Sequence, residues 1–168
     1  MRMSATTSEY VDVFKRLGEL GLSIPDTKGL VILPRGFESV GSAAELAEES
    51  DSSTLRKLLV EAGVATHLTK YEGQNLPVSV RRSAEWVAPT LFVGPLLLSQ
   101  NPYAIEVALG VMESYIADYL RGLWPSKEVK LSFVIETSRS KKCKKLTYRG
   151  PVSGIKELTQ LIRDLSDE

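Results

Sequence analysis

The segment from Asn101 to Gly122 constrains this chain more than any other, because it carries one helical period with a start and a stop. Asn101 can cap the free amides of a first turn, and Pro102 sits where a missing N–H costs nothing. Gly122 followed by Pro125 supplies the stop. Ile105, Val107, Ala108, Leu109, Val111, Met112, Tyr115, Ile116, Tyr119 and Leu120 cover most of the circumference, leaving a narrow, weakly polar stripe. Such a helix is expected to be enclosed on most sides, with the rest of the chain built around it. So apolar a helix also admits a homo-oligomer that buries part of it in a second copy.

The flanking segments are short and amphipathic. Thr7 or Ser8 can cap a first helix in which Tyr10, Val13, Phe14, Leu17 and Leu20 fall at helical spacing, ended by Gly21. Gly29 to Leu33 reads as a buried strand stopped by Pro34. Ser42 to Ser50 is expected to be a short solvated helix, and Asp51, Ser52 or Ser53 caps another that carries Leu55, Leu58, Leu59 and Ala62 inward. Val64 to Tyr71 and Leu76 to Arg82 read as two strands around a turn at Glu72 to Asn75. Pro89 to Leu98 is a continuous apolar run that fits a buried strand or a buried helical piece equally well. Beyond the long helix, Val129, Leu131, Phe133 and Ile135 alternate with Lys130, Ser132, Val134 and Glu136, the signature of a half-buried strand. Cys143 to Arg149 returns as its partner after the turn Ser138 to Lys142. Ser153 opens a last helix with Ile155, Leu158, Leu161, Ile162 and Leu165 on one stripe. The expectation is an α+β fold: residues 1–7 as a flexible N-terminus and 8–168 as a single domain, with a mixed or antiparallel sheet packed on the long central helix.

With 168 residues, 43% hydrophobic and 25% charged, the chain can build one sizeable core. The 21 basic and 21 acidic residues cancel, so no global field argues for nucleic acid or an anionic membrane. The balance is local, however. Lys127 to Arg149 holds eight basic residues against two acidic ones, a net of +6. Cys143 is the sole cysteine and His67 the sole histidine, which excludes an internal disulfide, a thiolate zinc site and multi-histidine metal sites. A reducing, cytoplasmic location is the expectation, with no secretory leader and no membrane span.

Arg139, Lys141, Lys142, Lys144, Lys145 and Arg149 lie within one turn and strand, where their charges can converge on a partner protein, a phosphate ligand or nucleic acid. Only Tyr148 accompanies them as a stacking aromatic, so the nucleic-acid signal is weak. The competing explanation is that lysines on an exposed hairpin edge prevent edge-to-edge pairing. Arg35, Gly36 and Gly41 sit in a loop after a buried strand, a position where α/β folds place ligands, although no phosphate-loop pattern is present. Glu45, Glu48, Glu49 and Asp51 read as a solvated helical face with a cap rather than as a cation site. Lys144 beside Cys143 can lower the thiol pKa. Trp86 and Trp124 read as lids on the core. No catalytic residue, cofactor or metal site is assigned.

The long helix ending in Arg121-Gly122, the hairpin after it, and the junction Gly150-Pro151-Val152-Ser153-Gly154-Ile155-Lys156-Glu157-Leu158 together resemble the effector-associated constant components of bacterial defence systems. The resemblance covers about the last third of the chain, through element order and the strand-to-helix junction. It implies a non-catalytic accessory or adaptor module that couples to a sensor or effector. The expected function is therefore that of a soluble bacterial interaction protein contacting its partner through the basic hairpin. The alternatives are an enzyme or nucleotide-binding sensor using the Arg35 loop, and nucleic-acid binding through the hairpin.

Overall fold

The computed structural model describes residues 3–79, 88–120 and 128–168. The chain opens with β1 (Ser4–Glu9), α1 (Val13–Leu20), β2 (Leu22–Ser23), β3 (Leu30–Leu33), β4 (Glu48–Glu49) and α2 (Ser52–Glu61). Four short strands follow: β5 (Thr66–Leu68), β6 (Lys70–Tyr71), β7 (Gln74–Asn75) and β8 (Val78–Ser79). The remainder is β9 (Thr90–Val93), α3 (Pro95–Gln100), α4 (Ala104–Leu120), β10 (Val129–Glu136), β11 (Cys143–Gly150) and α5 (Leu158–Ser166).

Six strands form one mixed sheet in the order β1-β11-β10-β9-β3-β5. β10 runs antiparallel to β11 and parallel to β9, while β3 is antiparallel to β9 and parallel to β5. Because side chains alternate across a strand, the sheet sorts its residues into two cores. Leu30, Ile32, Leu91, Val93, Leu131, Phe133, Ile135, Leu146 and Tyr148 belong to the core that α2, α4 and α5 close. Val31, Leu33, Phe92, Val134 and Cys143 belong to the second, closed by α1 and by Phe37 and Leu46 of the segment after β3. Phe14 of α1 meets Phe92 edge-on, with ring centroids 5.5 Å apart. The fold is α+β with a mixed sheet, as the periodicities imply.

The long helix is one-sided. Ala104, Ile105, Ala108, Leu109, Met112 and Ile116 are buried, whereas Val107, Val111 and Tyr115 are half-buried and Tyr119 is exposed. A shallow apolar groove of about 460 Å³ runs along that outer side, between Leu58 of α2 and Val107 and Val111 of α4. Enclosure on most sides does not hold, because the sheet and the other helices pack against one face only. Its start differs too: the Asn101 N–H closes α3 on the Leu97 carbonyl, and α4 begins at Ala104. Arg121, Gly122 and Pro125 lie outside the described residues, as do Trp86 and Trp124.

Several local expectations are corrected. Ser4–Glu9 is an edge strand paired with β11 along its whole length, so residues 4–7 are part of the sheet rather than a flexible tail. The cap of α1 is Asp12, whose carboxylate accepts from the Lys15 N–H, and not Thr7 or Ser8, which are committed to β1. Gly21 ends α1 in the left-handed region at φ 69°, as expected of a glycine stop. The expected helix at Ser42 to Ser50 is only a 3₁₀ turn, Ala43–Glu45, followed by β4, which pairs with β8. The apolar run at residues 89–98 divides at Gly94 into strand β9 and helix α3, with Pro95 in the first turn of α3. The last helix is preceded by a 3₁₀ segment, Val152–Glu157.

Candidate functional site

Alternation along β11 divides the basic hairpin residues. Lys144 lies on the same side as Leu146 and Tyr148, and its Nζ is held 3.0 Å from Glu168 Oε1. Lys145 and Arg149 take the opposite side. Arg139, Lys141 and Lys142 stand in the exposed turn, with Lys141 in the left-handed region at φ 57°. That turn is stitched to the C-terminal residues, since the Arg139 and Ser140 N–H groups both donate to the Glu168 carbonyl, at 3.1 Å each. The six residues therefore present two surfaces, a turn and a strand face, with Lys144 taken up between them and α5.

The strand face is extended by neighbours that the hairpin sequence alone does not reveal. Lys130, Arg149 and Ser4 form one cross-strand row, Ser132, Thr147 and Thr6 the next, and Val134, Lys145 and Ser8 the third. Directly opposite residues on one face stand about 5 Å apart. Three cations and five hydroxyls are thus gathered over β1, β11 and β10. Ser4, Thr6, Ser8 and Arg149 are exposed and Lys130, Lys145 and Thr147 are half-buried, whereas Ser132 and Val134 are buried, so β10 is covered on both faces over most of its length rather than half-buried. No carboxylate occupies any of the nine positions. At the end nearer α1, the Lys145 ammonium sits 6.0 Å from the centre of the Tyr10 ring, which orients it by a cation–π contact. Since β1 pairs with β11 throughout, the lysine-bearing strand is interior to the sheet. Protection of an open edge does not account for its charges.

The Arg35 loop is locked by its own contacts. The Arg35 guanidinium reaches Glu49 Oε1 at 3.4 Å and donates to Ser79 Oγ at 2.7 Å. Arg16 of α1 donates to the carbonyls of Phe37 and Val40, closing the loop from beneath. Gly36 is held at φ 83°, and a side chain there would press on Val40. Gly41 donates its N–H to Glu45 Oε2. The cavity beside Arg35 holds only about 140 Å³, below the usual size of a ligand pocket. These three residues come together as a braced turn.

The acidic segment is not a solvated face. Glu48 is only 4% exposed, and among the described residues neither of its carboxylate oxygens has a hydrogen-bond partner. Burial, and then the Glu49 carboxylate, push its pKa up to about 7. The Thr69 hydroxyl opposes that rise but is not in hydrogen-bonding geometry, and its own oxygen is unpartnered. Among the described residues no cluster of three metal-ligating side chains occurs. Cys143 is 4% exposed, and burial pushes its thiol pKa up despite the adjacent lysine, in line with an incidental thiol. His67 lines a different cleft from Arg35, so the two do not share a site.

No family model, curated protein or solved structure matches the chain. No helix among the described residues is long and apolar enough to cross a membrane.

Proposed function

We propose that this protein is an interaction module, an adaptor that holds an acidic partner protein on the sheet face that carries Lys130, Lys145 and Arg149. The observation that carries this reading is the row in which Lys130 and Arg149 stand directly opposite one another. With Lys145 in the third row and the hydroxyls of Ser4, Thr6, Ser8 and Thr147 between them, they give this face a local positive field with polar donors, which complements an acidic surface. The adaptor role implied by the resemblance of the C-terminal third agrees with this reading. The brace that Glu49, Ser79 and Arg16 form around Arg35 weighs against a catalytic loop.

Protein is favoured over nucleic acid because no exposed aromatic lies among the three rows, and stacking contributes about 1–3 kcal/mol per base to single-strand binding. Fluorescence anisotropy with a polyglutamate peptide and a single-stranded oligonucleotide of equal charge tests the assignment. The peptide should bind in a salt-sensitive manner and be lost in the K130Q/K145Q/R149Q variant. Oligonucleotide binding of equal strength, or peptide binding that survives the triple substitution, contradicts it.

A further inference from the structure

At the opposite edge of the sheet a cleft of about 300 Å³ opens between α2 and the β6–β7 hairpin. Five of its lining residues carry hydrogen-bond donors: Ser53, Arg56, His67, Lys70 and Asn75. Ser53 and Arg56 are three residues apart in α2 and so share a helix face. Lys70 and Asn75 are register partners across a two-residue turn. Glu72 at φ 51° and Gly73 at φ 77° give that turn the doubly left-handed form that closes a tight hairpin, so ammonium and amide stand side by side. His67 projects from β5 with Nε2 3.3 Å from Asp26 Oδ1, out of line for a hydrogen bond. The Lys28 N–H chiefly holds the Asp26 carboxyl below its ordinary range, opposed by burial and helped by His67.

The cleft is polar, and its charge is unbalanced. No carboxylate lines it, and among the described residues neither the Arg56 nor the Lys70 side chain has a hydrogen bond or an ion pair. Two cations facing one cavity repel each other and lend the fold nothing. Ser53 stands in the first turn of α2, where the helix dipole adds further preference for an anion. A carboxylate would satisfy one cation and leave the other unmatched. A phosphate monoester carries a charge of roughly −1.5 to −2 at pH 7 and presents three strong acceptor oxygens, which matches two cations and the neutral donors around them. The volume lies at the lower end of small-ligand pockets, about 300–1,000 Å³, which leaves room for a compact group behind the phosphate.

We infer that this cleft binds the phosphate group of a small phosphomonoester. The Arg56 fork and the Lys70 ammonium neutralise it, and Ser53 and Asn75 donate to the remaining acceptor sites, with the His67 ring on the cleft wall. The site is independent of the basic sheet face and rests on none of the reading given for it.

Because His67 is the sole histidine, its ring protons give one resolved NMR probe inside the cleft. Titration with inorganic phosphate and with phenyl phosphate should move those resonances to saturation, with a Kd of about 1 mM or tighter. R56Q and K70Q should each weaken binding at least ~10-fold, while K156Q, in neither cationic site, leaves it unchanged. Lys70 is exposed in a hairpin, so K70Q carries the test if R56Q fails to fold. No saturable shift of the His67 signals, or a shift that persists unweakened in K70Q, overturns the inference.

Discussion

The hydroxyl of Tyr148 fills the space that a side chain at Gly154 would need: a Cβ built on Gly154 overlaps Tyr148 Oη. Tyr148 is 1% exposed, and its hydroxyl donates to the Pro151 carbonyl at 2.6 Å. The junction Gly150-Pro151 to Gly154 is therefore shaped around one tyrosine. The glycine at 154 leaves room for it, and the carbonyl at 151 receives its proton.

Gly154→Ala should accordingly destabilise the protein by about 2 kcal/mol, the usual cost of overfilling a packed site. In a Tyr148→Phe background the same substitution should cost clearly less, since the overlapping oxygen is gone and the remaining overlap is with the flexible end of Met3. Urea unfolding of the two single variants and the double variant measures the coupling. Equal costs in both backgrounds would separate Gly154 from Tyr148.

Glu48 makes stability depend on pH in the direction opposite to a paired carboxylate. Its folded pKa of about 7 lies above its ordinary value of 4.5, so the native state holds the proton more tightly than the unfolded chain does. Stability contributed by the protonated form is present at acid pH and is lost as pH rises between those two values. The loss is on the order of 3 kcal/mol once pH exceeds both. Denaturant midpoints should fall between pH 5 and pH 8 in the wild type. In Glu48→Gln that component of the slope should disappear, leaving the variant the more stable protein at pH 8.

Leu109 and Val111 test the one-sided helix. Leu109 is fully buried and Val111 only half-buried on the groove side. Leu109→Ala should cost about 3 kcal/mol, against less than ~1 kcal/mol for Val111→Ala. Comparable losses measured by thermal or urea unfolding would mean that the outer side of α4 is enclosed after all.

Tyr115→Phe isolates the tie between α4 and the start of α2. The Tyr115 hydroxyl donates to Asp51 Oδ1 at 2.5 Å, a bond to a charged acceptor worth about 1.5–3 kcal/mol. Part of that is recovered because Asp51 has other interactions, so a loss nearer the lower figure is expected by urea unfolding.

Wherever period and packing agreed, the fold was legible in the sequence. The alternation from Val129 to Ile135 and the stripe of Ile155, Leu158 and Ile162 carry their burial directly. Β1 was not legible, because Ser4 to Glu9 holds no apolar alternation and all six residues are exposed. What orders it is the hydrogen-bonding edge of β11, a long-range partner that local propensity does not register. Glu48 and Glu49 were misread for a related reason. Their three- and four-residue spacing with Glu45 imitates a solvated helix, whereas pairing with Val78 and Ser79 draws both inward. At the basic hairpin the residues are identifiable from their charge alone, and their division follows from strand alternation. The alternation of 144, 146 and 148 against 145, 147 and 149 was available, and it places Lys144 with the core face and Lys145 and Arg149 with Lys130. The cleft around Arg56, Lys70 and Asn75 left no local signal, because its donors come from separate elements that only the fold assembles.

Site-specific photocrosslinking in cells tests the central claim most directly, with a photoreactive residue in place of Thr147 at the centre of the three rows and, as a control, in place of exposed Leu161 on α5. The account predicts a covalent adduct with an acidic protein from position 147, absent from position 161 and lost when Lys130, Lys145 and Arg149 are changed to Gln. An adduct with nucleic acid, an adduct from position 161 alone, or no adduct from position 147 would contradict it.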